Sequence, residues 1–154
     1  MTNNDILRRI RYIFDFSNSK MIEIFQAGGQ DVVWERIKDW LKKEEDAGYK
    51  ECRDAELTTF LDGLIDEKRG KKEGARPKVK KELNNNVIFM KLKIALDLKA
   101  EEILEIMNLA GLELSKHELS AFFRNPNHKH YRECRDQILR NFLKGIQMKY
   151  RPNK

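Results

Sequence analysis

Apolar residues fall along this chain at helical intervals, and the pattern occurs twice. Ile6, Ile10, Ile13 and Phe14 recur at i, i+4, i+7 and i+8, the spacing that gathers side chains on one face of an α-helix. Shifted by 82 positions, Ile88, Leu92, Ala95 and Leu96 take their places. A second helical stretch carries Met21, Ile22, Ile24 and Phe25, matched by Ile103, Leu104, Ile106 and Met107. A third carries Ile37, Trp40 and Leu41, matched by Leu119, Phe122 and Phe123. The fourth carries Leu57, Phe60, Leu61 and Leu64, matched by Leu139, Phe142, Leu143 and Ile146. Side-chain identity changes while the apolar face persists, as burial against a common surface requires. No comparable run alternates with the period of a strand.

The same offset aligns residues 3–70 with the later chain without a gap, and 17 of the 68 pairs are identical. The densest match sets Tyr49-Lys50-Glu51-Cys52-Arg53-Asp54 against Tyr131-Arg132-Glu133-Cys134-Arg135-Asp136. A repeat of this length is one supersecondary unit used twice. The expected fold is therefore all-α: two tandem repeats of a four-helix unit, packed together with pseudo-two-fold symmetry. Residues 1–67 form the first repeat, 68–84 a basic linker and 85–151 the second repeat.

Helix ends follow from local chemistry. Asn3 or Asn4, and Asn85 or Asn86, are expected to cap the first helices, and Asp54 and Asp136 the fourth. Gly29 and Gly111 sit where the second helices should stop. Ser115 with Glu118 reads as a capping box for the third helix of the second repeat, which runs on to about Arg124 and is closed by Pro126. Gly63 and Gly145 lie inside helical patterns, where glycine costs about 1 kcal/mol relative to alanine. Close approach of a neighbouring backbone would account for both.

Composition adds little except through charge. Hydrophobic residues at 40% suffice for a core, and charged residues at 36% imply long solvated faces. The longest apolar run, Val87-Ile88-Phe89-Met90, is far below the roughly 20 residues a membrane span needs. The first residues do not read as a secretion signal, and two cysteines without disulfide-like spacing point to a reducing, cytoplasmic setting. Residues 1–67 carry a net charge of −5, 68–81 carry +7, and 82–154 carry +4. Opposite signs on the two repeats would favour their docking.

The basic linker, KRGKKEGARPKVKK, is a poor helix interior because of Gly70, Gly74 and Pro77. Two readings stay open for it: a solvated tether, or a phosphate-binding strap using Lys71, Lys72, Lys78, Lys80 and Lys81. The second and third helices of the second repeat resemble a helix-turn-helix, with Lys116, His117, Ser120 and Arg124 outward on the reading helix. His128, Lys129 and His130 would add to the same surface near phosphates. Against this reading, the turn is long, and the first repeat places Asp31, Glu35 and Asp39 on the equivalent helix.

Other constellations are weaker. His128, His130, Cys134 and Cys52 have ligand chemistry for zinc, yet the positions matching the two histidines are Asp46 and Gly48, and the spacing matches no finger. Glu51 with Asp54, and Glu133 with Asp136, are too close in sequence to offer the contrasting environments that acid–base catalysis needs. There is no Gly-rich phosphate loop, nucleophile elbow or HExxH. No catalytic residue, cofactor or metal is assigned.

Residues 4–12 (NDILRRIRY), 91–99 (KLKIALDLK), 114–124 (LSKHELSAFFR) and 130–145 (HYRECRDQILRNFLKG) resemble the YehS-like family of bacterial proteins. The resemblance implies a bacterial, cytosolic, duplicated helical protein of unknown function, with no site residues to carry over. Arg53 and Arg135, where that family pattern suggests a small residue, depart from it. The expected function is a non-catalytic binding module, with DNA or RNA the most concrete partner. The alternative is a protein-interaction or regulatory module using an apolar face near Trp34 and Trp40.

Overall fold

A computed structural model describes residues 1–70 and 82–152, all of whose regular elements are helices. The chain divides into two compact units, Met1–Lys81 and Glu82–Lys154. The first holds α1 (Asn3–Phe14), α2 (Asn18–Ala27), α3 (Trp34–Trp40) and α4 (Asp54–Arg69). The second holds α5 (Asn85–Ala95), α6 (Ala100–Leu109), α7 (Lys116–Ala121) and α8 (Asp136–Tyr150). Each helix thus has its counterpart about 82 residues on, as the doubled apolar pattern predicts. Lys68 and Arg69, assigned above to the linker, form the last turn of α4. Among the described residues no helix is long and apolar enough to cross a membrane.

The apolar faces meet as their spacing dictates. In the first unit Ile6, Ile10, Met21, Ile24, Phe25, Ile37, Leu57, Phe60 and Leu64 are fully or almost fully buried. The Phe25 ring sits 5.2 Å from Phe60 and 5.5 Å from Trp40. In the second unit Phe89 is central, 4.5 Å from Phe142 and 6.1 Å from Phe122. The main seams are α2 against α4 and α6 against α8.

Glycine makes those seams possible. A Cβ on Gly63 would lie 1.8 Å from the Ile24 carbonyl oxygen, and one on Gly145 would lie 2.2 Å from that of Ile106. Neither gap admits a methyl group, so both helices carry glycine despite its cost in a helix. The first unit has a second such point: a Cβ on Gly28 would lie 1.9 Å from the Thr59 carbonyl oxygen. Its counterpart is Ala110. Gly29 and Gly111 follow the ends of α2 and α6 with φ of +101° and +85°, the left-handed turn expected there.

The first helices are capped one residue earlier than predicted. Thr2 accepts from the Asp5 amide (3.1 Å) and Asn84 from the Val87 amide (2.9 Å). This frees Asn4 and Asn86 for a different task. Both are buried, and each ties a distant segment to its helix. Asn4 Nδ2 donates to the carbonyls of Trp40 (2.9 Å) and Lys50 (2.8 Å), while its Oδ1 accepts from Cys52 (3.0 Å). Asn86 repeats this with Phe122 (3.0 Å), Arg132 (2.9 Å) and Cys134 (2.9 Å). Asp54 and Asp136 are not the caps of α4 and α8 but their first residues, behind Arg53 and Arg135. They accept instead from Asn3 and Asn85, at 2.8 Å in each unit.

The repeated Tyr-x-Glu-Cys-Arg-Asp stretch is therefore a pinned extended segment leading into the last helix. Its cysteine is the inward residue. Burial pushes the thiols of Cys52 and Cys134 up to about 12, so both behave as small apolar groups.

Candidate nucleic-acid interface

The residues expected to meet phosphates lie on α7 and the loop after it. Ser115 caps α7 by accepting from the Glu118 amide (3.0 Å), and Glu118 Oε1 accepts from Ser115 in return (3.1 Å). Those bonds, with Arg132 beyond them, hold the Glu118 carboxyl below its usual range. The helix is short and ends at Ala121, so Arg124 lies past it and not on a reading helix as predicted. Residues 110–115 separate α6 from α7.

The loop from Asn125 to His130 is held by its own backbone. The His128 amide donates to Asn125 (2.9 Å) and the Tyr131 amide to His128 (3.0 Å). The first unit builds the same turn with Asp46 to Lys43 (2.9 Å) and Tyr49 to Asp46 (3.2 Å). Downstream, Arg132 donates to the Ala121 carbonyl (3.1 Å), as Lys50 does to that of Asp39 (3.3 Å).

On this frame four of the predicted residues converge. The rings of His117 and His130 lie 6.2 Å apart, and those of His128 and His130 lie 5.5 Å apart. Arg124 Nη1 stands 3.4 Å from His128 Nε2. Every histidine of the chain is thus on one exposed surface of the second unit. Lys129 is exposed on the same loop. Lys116 is drawn elsewhere: its ammonium pairs with Glu101 of α6 at 2.9 Å and holds that carboxyl below its ordinary range. Lys71, Lys72, Lys78, Lys80 and Lys81 lie outside the described residues.

Arg132 belongs to this surface and was missed. Its guanidinium lies 5.5 Å over the Phe122 ring and 3.6 Å from Glu118. The available signal was a basic residue, Lys50, at the matched place in the repeated motif. Cys134 sits in the core while His128 and His130 face outward, so the mixed set considered for zinc is not brought together. Among the described residues no three histidine, cysteine or carboxylate side chains are arranged to hold a metal. Near the tryptophans the surface is mixed: Val33 is exposed and Trp34 half-buried. Trp40 is buried, and Arg11 stacks 5.2 Å over Trp34.

The first unit presents the reverse surface at the same positions. Glu35, Asp46 and Gly48 replace His117, His128 and His130, and Asp39 replaces Ala121. Lys42, the counterpart of Arg124, pairs with Asp39 at 2.9 Å.

Comparison with known proteins agrees with the duplication. The model of a family described as protein of unknown function (DUF1456) matches residues 3–70 and again 85–151. The chain is 44% identical over 148 residues to an uncharacterised protein, YehS, of Escherichia coli strain K12, covering 95% of this chain and 94% of that one. No solved structure matches the chain significantly. Two family matches in tandem, each spanning one four-helix unit of this chain, place it in the DUF1456 family.

Proposed function

We propose that the protein is a non-catalytic binding module that engages the phosphate backbone of DNA or RNA through the second unit. The observation that carries this reading is the convergence of the half-buried Arg124 with the exposed His117, His128 and His130 on one surface. Lys129 and Arg132 flank it. Such a surface reads charge and not base sequence: phosphate contacts give affinity and position, while specificity needs contacts to base edges. The unit's net charge of +4 supports the same partner, because a basic surface raises the local concentration of a polyanion.

Fluorescence anisotropy with labelled duplex DNA and RNA, titrated with the full chain across salt, tests the proposal. Affinity should fall steeply with salt, with a log–log slope of about −0.9 for each phosphate neutralised on duplex DNA. Failure to bind either polymer at low salt overturns the reading.

A further inference from the structure

His128 has a constrained tautomer. Its Nδ1 lies 3.0 Å from the backbone nitrogen of His130, which can only donate, so Nδ1 is the acceptor. A neutral imidazole then carries its proton on Nε2. That nitrogen faces Arg124 Nη1 at 3.4 Å, and a guanidinium has no acceptor to offer. Two donors therefore meet head-on. A third, Arg124 Nε, is buried without any partner. Buried donors left unsatisfied are uncommon in folded proteins and carry a desolvation cost.

The first unit shows what is missing. Lys42 stands at the position of Arg124, and its ammonium finds Asp39 Oδ1. Ala121 occupies the place of Asp39, so the second unit has the cation without the carboxylate. Nearby carboxylates do not replace it: Glu101 is taken by Lys116, and Glu118 by Ser115 and Arg132. Glu133 is exposed on the following stretch, and no contact joins it to Arg124 among the described residues.

The geometry points to a phosphate-oxyanion seat between Arg124 and His128, in which one oxygen accepts from Arg124 Nη1 and His128 Nε2–H and so supplies the acceptor that Asp39 supplies in the first unit. The chemistry is shared by a backbone phosphodiester and by free phosphate. The inference deepens the nucleic-acid reading by naming where a phosphate would sit, and it stands or falls separately from it. His117 and His130 border the seat and widen the surface without providing its donors.

Long-range nitrogen–proton NMR of the histidine rings, on the isotope-labelled full chain, tests it directly. The free protein should show His128 as the Nε2–H tautomer; the opposite tautomer overturns the argument at once. Inorganic phosphate, in one arm, and a short DNA duplex, in the other, should each shift His128 Nε2 and the Arg124 side-chain resonance. Arg124→Gln should weaken the phosphate response about tenfold, as loss of a charge-assisted bond predicts. Ala121→Asp gives Arg124 its own acceptor and should close the seat with Arg124 still in place. A phosphate response that persists unchanged in Ala121→Asp overturns the seat. If duplex binds by anisotropy while His128 stays still, the seat is wrong and nucleic-acid binding survives. If phosphate moves His128 but no duplex binds, the seat survives and the nucleic-acid reading is lost.

Discussion

The turns that follow α3 and α7 have the same hydrogen-bonded backbone and opposite surfaces. In the first unit Lys42 is neutralised by Asp39, and Glu35 and Asp46 hold the positions that match His117 and His128. In the second, Arg124 has no carboxylate but meets His128, whose ring neighbours His130, itself 6.2 Å from His117. Duplication provided two copies of a scaffold whose core had to be kept in both. The surface positions differ between the halves, acidic at Glu35, Asp39 and Asp46 in the first and histidine or alanine at the matching places in the second. The difference marks where the proposed contact is to be tested: at the positions whose charge differs between the units.

Features common to both units should fail in both. Gly63→Leu and Gly145→Leu push a side chain into an opposing helix carbonyl, and each should cost about 3 kcal/mol or more. Urea unfolding would measure this, and an unaffected midpoint in either would mean that its seam can open cheaply. Ala121→Asp next makes the second unit resemble the first. It should lower affinity for duplex DNA about tenfold and reduce the salt slope by about one phosphate contact. Unchanged binding would separate Arg124 from the interface. Asp39→Ala performs the reverse exchange by freeing Lys42, and anisotropy should show a gain of about twofold to threefold at low salt. A gain as large as the loss from Ala121→Asp would mean the surrounding carboxylates of the first unit do not matter. Lys116→Ala should do least, about twofold or below, because its ammonium is already paired with Glu101.

The helices and their apolar faces were legible because periodicity is a local property repeated in two copies. Gly63 and Gly145 were readable for the same reason: a shared exception to helix propensity has to have a shared packing cause. The asparagines were not. Asn3 and Asn4 both suit a helix start, and nothing local says that Asn4 is buried, since its partners are carbonyls 36 and 46 residues away. The cap of α4 was misplaced by one residue because Asp54 serves equally well in the first turn, where a carboxylate meets the helix dipole. At the candidate interface, the histidines were visible as a basic cluster. What makes Arg124 unusual is an alanine, and an absent carboxylate shows in sequence only when the matched position is known to bear one.

The Gly28 contact bears on how a chain with two similar halves avoids pairing them wrongly. Either long terminal helix could in principle recruit the second helix of the other half during folding, the characteristic hazard of tandem repeats. The seam of the first unit admits no side-chain carbon at that point, its Thr59 carbonyl oxygen lying 1.9 Å from where one would be. The helix carrying Ala110 brings such a carbon. The Ala110 methyl thus disfavours α6 on α4, one of the two possible mispairings, while Gly28 raises no such obstacle to α2 on α8.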